Sequence, residues 1–252
     1  MGCCVSTNSD SSANRVARWR STGIVALRDT KLKALFFLPL ESIRTLDLTN
    51  NKIGIIFLTL LQVLANNIIQ SLPTNIGDLR TLKILTLDGN RITYLPDELG
   101  SLQMLEKLSI SRNSLISLPQ TIGDLRNIVL LNVSQNKLKS LPESIGGCIA
   151  LEELQASENS IDDLPLSICK LVHLKSLLLN NNNIRQLPQN LLKECKALQS
   201  ISLHDNPISM DQFQQMDGFE EFESRRRKKF DKQIDSNVMM SSTALDEGLD
   251  RR

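Results

Sequence analysis

The stretch Thr81–Pro96, TLKILTLDGNRITYLP, decides the fold that the sequence predicts. Its apolar residues follow the spacing Leu-x-x-Leu-x-Leu-x-x-Asn-x-Ile-x-x-Leu-Pro. Leu85 and Leu87 alternate with polar residues, so one face of a strand enters a core and the other meets solvent. Asn90 follows where the chain leaves the strand, and its short side chain can donate to and accept from backbone groups there. One such unit cannot bury its apolar face alone, so the fold depends on whether the pattern recurs.

The pattern recurs along most of the chain. Successive in-frame asparagines are separated by 16, 23, 23, 23, 23, 23 and 24 residues, and they are Asn51, Asn67, Asn90, Asn113, Asn136, Asn159, Asn182 and Asn206. A second motif, Leu-Pro-x-x-Ile/Leu-Gly-x-Leu, lies between them; proline suits the start of a helical turn, and glycine permits a conformation that ends it. This periodicity predicts an α/β leucine-rich-repeat solenoid of about nine units. We expect a curved parallel β-sheet on its concave face and short helices or 3-10 turns on its convex face.

The sequence divides into four predicted segments. Residues 1–21 are a flexible N-terminal segment, residues 22–208 the leucine-rich-repeat domain, residues 209–231 a C-terminal helical cap and residues 232–252 a disordered tail. The cap is indicated by a capping-box pattern that precedes a stripe of apolar residues at three-residue spacing, namely Phe213, Met216, Phe219 and Phe222. The basic run at residues 225–229 fits a phospholipid contact, a nuclear-localisation patch or the solvated end of a helix.

One unit, at residues 52–66, is irregular, because its period falls seven residues short of 23. Either the convex crossover is tightened there, or residues have been deleted from an ancestral unit. We favour the deletion and expect exposed apolar surface around Phe57–Leu61. Val63 and Leu64 could still supply a strand.

The N-terminal sequence Met-Gly-Cys-Cys-Val-Ser fits a lipidation signal. Gly2 is the expected myristate acceptor, with Ser6 at the favoured position, and Cys3 and Cys4 are expected palmitate acceptors. A second chain matters because a single myristoyl group gives only marginal membrane binding. The alternative is that the chain begins with Met-Gly by chance and the two cysteines are ordinary surface residues.

Composition excludes several classes of function. The 252 residues carry a net charge of +1, which argues against a globally basic nucleic-acid binder. The sequence contains no apolar run of transmembrane length and no secretory leader. The five cysteines lack the spacing of extracellular disulfide caps, so we interpret them as reduced and the protein as cytoplasmic. The expected lipid chains would place it peripherally at the cytoplasmic face of a membrane.

No catalytic or cofactor motif is present. His173 and His204 lie more than one repeat apart, and no cysteine or aspartate spacing around them indicates a metal site. Phosphate-binding, zinc-protease and serine-hydrolase motifs do not occur. We therefore expect neither enzymatic activity, nor a cofactor, nor a metal, nor a small-molecule substrate.

Binding is expected on the concave face, at the positions that the repeat leaves exposed. They are mostly small, polar and uncharged, which suits a protein partner and not a nucleic acid. The predicted partner-binding residues are Asp47, Thr86, Asp88, Ser109, Ser111, Asn132, Ser134, Gln155, Ser157, Leu178, Asn180, Ser202 and His204.

Charge is sorted along the repeats. Basic residues near the asparagines of the earlier units are Lys52, Arg91, Arg112, Lys137 and Lys139. Acidic residues of the Asn159 unit are Glu152, Glu153, Glu158, Asp162 and Asp163. These are either solvated turns or a bipolar surface that orients a partner.

The asparagine column and the Leu-Pro-x-x-Ile-Gly-x-Leu motif resemble the intracellular Ras-group leucine-rich-repeat proteins, including the plant intracellular Ras-group-related type. The resemblance covers roughly residues 1–230 and implies an intracellular protein that binds other proteins, with a role in signalling at membranes. The leading interpretation is a membrane-anchored signalling adaptor. A soluble regulatory subunit of a phosphatase, kinase or small GTPase pathway is the alternative.

Overall fold

In the computed structural model of the chain, the structure describes residues 21–22, 24–26, 44–47, 70–229 and 231. These residues form a parallel sheet of eight strands that lie side by side in chain order. The strands are β1 (Ile24–Ala26), β2 (Thr45–Asp47), β3 (Ile84–Thr86), β4 (Lys107–Ser109), β5 (Leu130–Asn132), β6 (Glu153–Gln155), β7 (Ser176–Leu178) and β8 (Ser200–Ser202). The order, direction and repeat of these strands confirm the leucine-rich-repeat solenoid that the sequence predicts.

From β3 to β7, the strand places one leucine in the core between two outward residues. In β3, Leu85 is fully buried while Ile84 and Thr86 are half-buried. Leu85 stands opposite Leu108 of β4, so the buried side chains of successive units stack in columns. The core is therefore a continuous aliphatic stack, which no single unit could close by itself.

The convex side is lined by 3-10 helices. They are η1 (Thr74–Asp78), η2 (Asp97–Ser101), η3 (Gln120–Asp124), η4 (Glu143–Gly147) and η5 (Leu166–Lys170). Each follows a proline with extended backbone, such as Pro119 with φ −67° and ψ 151°. After η5 the pattern changes to a short α-helix, α1 (Leu191–Glu194), in the unit whose asparagine interval is 24 residues instead of 23.

The glycines of the convex 3-10 helices do not serve to end the helical turn by their conformation, as the sequence predicts. In the described part of the chain, positive φ among glycines occurs at Gly89 and Gly218, and not at the glycines of the 3-10 helices. A Cβ atom added to Gly123 would instead lie 2.2 Å from the carbonyl oxygen of Ser144 in the next unit. These glycines are needed because neighbouring 3-10 helices pack closely, and not because the turn requires their conformational freedom.

The irregular unit lies, in the chain, between two strands that pair with each other. Strand β2 is the direct neighbour of β3 in the described sheet. Ile84 follows Thr45 by 39 residues, which is 16 more than the period of 23. The expected strand at Val63 and Leu64 lies outside the described residues, as does the apolar surface expected at 57–61.

The C-terminal end of the solenoid is covered by α2 (Met210–Gln214) and by α3, which contains residues 219–229. Ser209 and Gln212 form a reciprocal capping box at the start of α2. Phe213 packs edge-on against Phe219 and Phe222, with ring centroids 5.6 and 6.0 Å apart. Both Phe213 and Phe222 are buried against the last units.

Candidate functional site

The concave face displays almost all of the predicted binding positions. One column follows the buried leucine of each strand and aligns Asn132 of β5 with Gln155 of β6. The second column lies two residues further along each unit and includes Asp88 and Ser134. Twelve of the thirteen predicted residues are half-buried or exposed, which leaves their polar groups within reach of a partner.

Asp47 is the exception. Its side chain in β2 is only 5% exposed, so the prediction that Asp47 lies on the open face is wrong. The repeat frame places Asp47 in the outward column, but the frame does not show what covers that position at this end of the sheet.

Hydrogen bonds hold several concave side chains in fixed positions. The Asp88 carboxylate accepts from the Ser109 hydroxyl at 2.7 Å and from the Ser111 backbone N–H at 2.6 Å. The Asn180 side-chain oxygen accepts from the backbone N–H of His204 at 2.9 Å. A polar surface ordered before binding loses less conformational entropy when it meets a partner.

The concave face carries a third column of side chains that the predicted binding residues do not include. The residue before each buried leucine points to the same side as the residue after it, because side chains two positions apart share a face of a strand. This column adds Ile84, Lys107, Leu130, Glu153, Ser176 and Ser200, all half-buried or exposed. The alternation of the strand pattern was the signal that could have found it.

The asparagines from 113 to 206 tie each unit to the one before it. Asn136 is representative, since its side-chain nitrogen donates to the carbonyl oxygens of Ile110 and Val133 at 2.9 and 3.0 Å, and its oxygen accepts from Leu115 N–H. Asn51 and Asn67 lie outside the described residues. The asparagines satisfy backbone groups, so they are part of the scaffold and leave the neighbouring columns to meet a partner.

The predicted charge clusters are partly engaged with each other. Arg112 donates to the Gln135 side chain at 2.7 Å, and Gln135 donates to both carboxylate oxygens of Glu158 at 2.9 Å. Glu152 pairs with Lys175 at 2.7 Å. The surface is therefore less polarised than the sequence indicates, because Arg112 of the basic set and Glu158 of the acidic set are linked through Gln135.

The basic run at residues 225–229 contains a structural member that the sequence did not reveal. Arg225 donates to the carbonyl oxygens of Leu198 and Leu192, both at 2.9 Å. Burial lowers the pKa of the Arg225 guanidinium. Arg226 pairs with Glu223 at 3.1 Å. Arg225 thus fastens α3 to the last repeat.

The described cysteines are core residues with little reactivity. Cys148 and Cys195 are buried and Cys169 is half-buried, and all three are free thiols. Burial is the main cause that raises the pKa of Cys148 and of Cys195 to about 12. A thiol with such a pKa is protonated at neutral pH and is a poor nucleophile.

The described residues contain no cluster of histidine, cysteine, aspartate or glutamate that could hold a metal ion. Within the same ranges, no helix has the length and apolar character needed to cross a membrane. The predicted lipid acceptors Gly2, Cys3 and Cys4 lie outside the described residues.

The repeating strand, asparagine turn and 3-10 helix define a leucine-rich-repeat protein. A family model for a leucine-rich repeat region matches residues 58–156. The chain is 78% identical over 260 aligned residues to Plant intracellular Ras-group-related LRR protein 7 of Oryza sativa subsp. japonica, and the alignment covers 99% of each chain. The chain therefore belongs to the plant intracellular Ras-group-related leucine-rich-repeat proteins.

More distant matches agree with this assignment. Protein 8 of the same rice family is 47% identical over 57 residues, which are 23% of this chain and 15% of the relative. A leucine-rich-repeat protein of Leptospira interrogans aligns with a TM-score of 0.56 and 27% identity, covering 79% of this chain and 59% of that structure. The ectodomain of an Arabidopsis thaliana membrane receptor kinase, solved with Casparian strip integrity factor 2, aligns with a TM-score of 0.52 and 28% identity over 72% of this chain and 26% of that structure.

Proposed function

We propose that this chain is a non-enzymatic intracellular adaptor that binds a signalling protein on the concave face of its sheet. The observation that carries the proposal is the row of accessible side chains, polar except for Leu178, that is aligned in register from β3 to β8. Hydrogen bonds such as those of Asp88 fix several of them. Such a surface offers directional contacts at a low entropic cost.

The chemistry of the concave face favours a protein over other ligands. From β4 to β6 the first column reads Ser109, Asn132 and Gln155, which carry donors and acceptors but no formal charge. A nucleic acid would require clustered cations for its phosphates. The related receptor ectodomain was solved with a protein factor, which is consistent with a surface of this fold taking a polypeptide.

The proposal includes an N-terminal lipid anchor. Gly2 would carry myristate, and Cys3 or Cys4 would carry palmitate, so that two chains together give stable residence at a membrane. A soluble regulatory subunit of a phosphatase, kinase or small GTPase pathway would use the same concave face without the anchor. The two alternatives therefore differ at the N-terminus and not at the binding surface.

Affinity capture tests the binding surface. Asn132→Ala combined with Gln155→Ala removes two neighbouring concave amides, and we expect captured partner to fall about tenfold or more. The matched control is Gln189→Ala combined with Asn190→Ala, which removes the same residue types from exposed positions before α1, away from the concave face. An equal loss of captured partner in both double variants would mean that the concave face is not the binding surface.

Membrane fractionation tests the anchor. The wild-type chain should sediment with membranes, and Gly2→Ala should move it to the soluble fraction because the myristoyl acceptor is lost. Cys3→Ser with Cys4→Ser should give weaker, reversible association. If wild type and Gly2→Ala both remain soluble, the anchor is wrong and the soluble regulatory subunit is favoured.

A further inference from the structure

The edge of the sheet at which the strands begin, called here the amino edge, carries a surface that concave binding does not use. Its outermost positions are two adjacent residues in the loop before each strand from β3 to β8. These pairs are residues 80–81, 103–104, 126–127, 149–150, 172–173 and 196–197. Ten of the twelve residues are exposed and the two alanines are half-buried, so the pairs form a continuous stripe along the solenoid.

All formally charged residues of this stripe are cations. It contains three cations, Arg80, Arg126 and Lys196, and no acidic residue. It also contains three large apolar side chains that are about half exposed, namely Met104 at 47%, Ile149 at 54% and Val172 at 48%. Ile149 and Val172 occupy the same position in adjacent units, so an apolar patch lies between the cations Arg126 and Lys196 along one line.

The surfaces beside the stripe limit where an anionic contact can form. On the sheet side, the charges are neutralised in the ion pairs Lys83–Glu106 and Lys175–Glu152. On the convex side, the next column contains Asp78, Asp124 and Glu194, which would be repelled by negative charge, and also the exposed cation Lys170. The favourable contact is therefore centred on the amino edge, next to Lys170.

The basic run of α3 extends the stripe at its C-terminal end. Arg225 donates to the carbonyl oxygen of Leu198, in the same loop as Lys196. These two cations line one cleft together with Lys193, Asp217 and Glu221, so cations outnumber acidic residues there by three to two. Arg227 and Lys228 are exposed on the same helix and form no ion pair with the described residues. The cations of α3 thus lie next to the cations of the loops.

The N-terminal segment reaches the sheet at this edge. Strand β1 is parallel to the others, so its first residue, Ile24, lies at the amino edge, where it is 50% exposed. Ser21 and Thr22, three and two residues before it, are exposed. The chain therefore enters β1 from the side that carries the stripe.

We infer that the amino edge lies against an anionic membrane surface, with Ile149 and Val172 entering the interface and Arg126 and Lys196 meeting lipid headgroups. The inference rests on the proposed membrane role, because the lipid anchor would bring this edge to the bilayer. Exposed apolar side chains flanked by cations are the composition of interfacial protein surfaces. Strands that begin at the membrane run away from it, which leaves the concave face open sideways to a partner.

Vesicle sedimentation tests this contact without the lipid anchor. The full-length chain, made unlipidated in bacteria, should bind vesicles of equal parts phosphatidylserine and phosphatidylcholine and should not bind pure phosphatidylcholine. Arg126→Gln with Lys196→Gln should weaken binding about 30-fold, because two cations leave the anionic surface. Ile149→Ser with Val172→Ser should weaken it at unchanged charge.

The matched control is Lys137→Gln with Lys139→Gln, which removes the same charge from exposed positions at the opposite edge. All variants are first checked for the wild-type thermal transition. The inference is overturned if the unlipidated chain does not bind the acidic vesicles, or if control and stripe variants lose binding equally. It is also overturned if the stripe variants bind vesicles normally but lose partner capture, which would make the stripe a protein-docking surface.

These outcomes are separable from the anchor experiment. Loss of membrane association in Gly2→Ala cells reports on lipidation, whereas the vesicle assay uses protein that has no lipid. Vesicle binding by a chain that is never lipidated would support the amino-edge contact while contradicting the anchor.

Discussion

Asn136 accepts a hydrogen bond at 2.9 Å from the backbone N–H of Leu115, 21 residues earlier in the chain. Its side-chain nitrogen also donates to three carbonyl oxygens, those of Ile110, Val133 and Ser134. One side chain therefore satisfies backbone groups of two units at the point where each leaves its strand.

Asn136→Ala should lower the free energy of unfolding by roughly 3 kcal/mol, because several part-buried backbone groups lose their partner. Urea denaturation measures the change. Asn127→Ala is the control, since the Asn127 side chain donates one exposed hydrogen bond, to the carbonyl of Gln103. A loss for Asn136→Ala no larger than for Asn127→Ala would contradict the structural role of the asparagine column.

Gly123→Ala should destabilise the solenoid by roughly 2–3 kcal/mol, because the new methyl group would overlap the Ser144 carbonyl and force adjacent 3-10 helices apart. Cys169 occupies the equivalent place in η5 and already has a Cβ atom, so Cys169→Ala should cost less than about 1 kcal/mol. Thermal unfolding of the two variants provides the comparison. Equal tolerance of both changes would mean that the helices are not held in close contact.

Ser167→Ala should stabilise the protein by up to about 1 kcal/mol. The Ser167 hydroxyl is buried and has no hydrogen-bond partner among the described residues, so removing it relieves a desolvation cost. Ser117→Ala, at an exposed position, should change stability by less than about 0.5 kcal/mol. Destabilisation by Ser167→Ala in urea titration would indicate that the hydroxyl has a partner.

The stability of the wild-type protein should fall above pH 9 relative to Cys148→Val. The Cys148 thiol has a pKa near 12 in the folded state, against 9.0 for the ordinary group. As pH rises from about 9 to 12, the unfolded chain loses this proton first and is stabilised, so the contribution of Cys148 to stability is present below pH 9 and lost above it. Denaturation of both proteins at pH 7 and pH 10 measures the difference, and a constant gap would contradict a buried, protonated thiol.

The sequence predicts the regular part of the fold because spacing determines which side chains face inward. The 23-residue period and the alternation around Leu85 are enough to place β3 to β7 and their core leucines. It does not predict that β2 pairs with β3, because the paired residues Thr45 and Ile84 are 39 residues apart and not one period of 23.

The candidate site, like the fold, is predicted from the sequence only in part. Columns that include Asn132 and Gln155 follow from the frame, since side-chain alternation is local. The attachment of Arg225 to Leu192 depends on a contact between residues 33 positions apart, which repeat spacing does not encode.

Site-specific photo-crosslinking tests the central claim, that a protein partner occupies the concave face. A photoreactive phenylalanine analogue is placed separately at position 155 on the concave face, at position 127 in the amino-edge stripe and at position 120 on the convex side. We expect position 155 to crosslink to a single partner protein in cells and positions 127 and 120 not to crosslink to it. Crosslinking of that partner from position 120, with none from position 155, would contradict binding on the concave face.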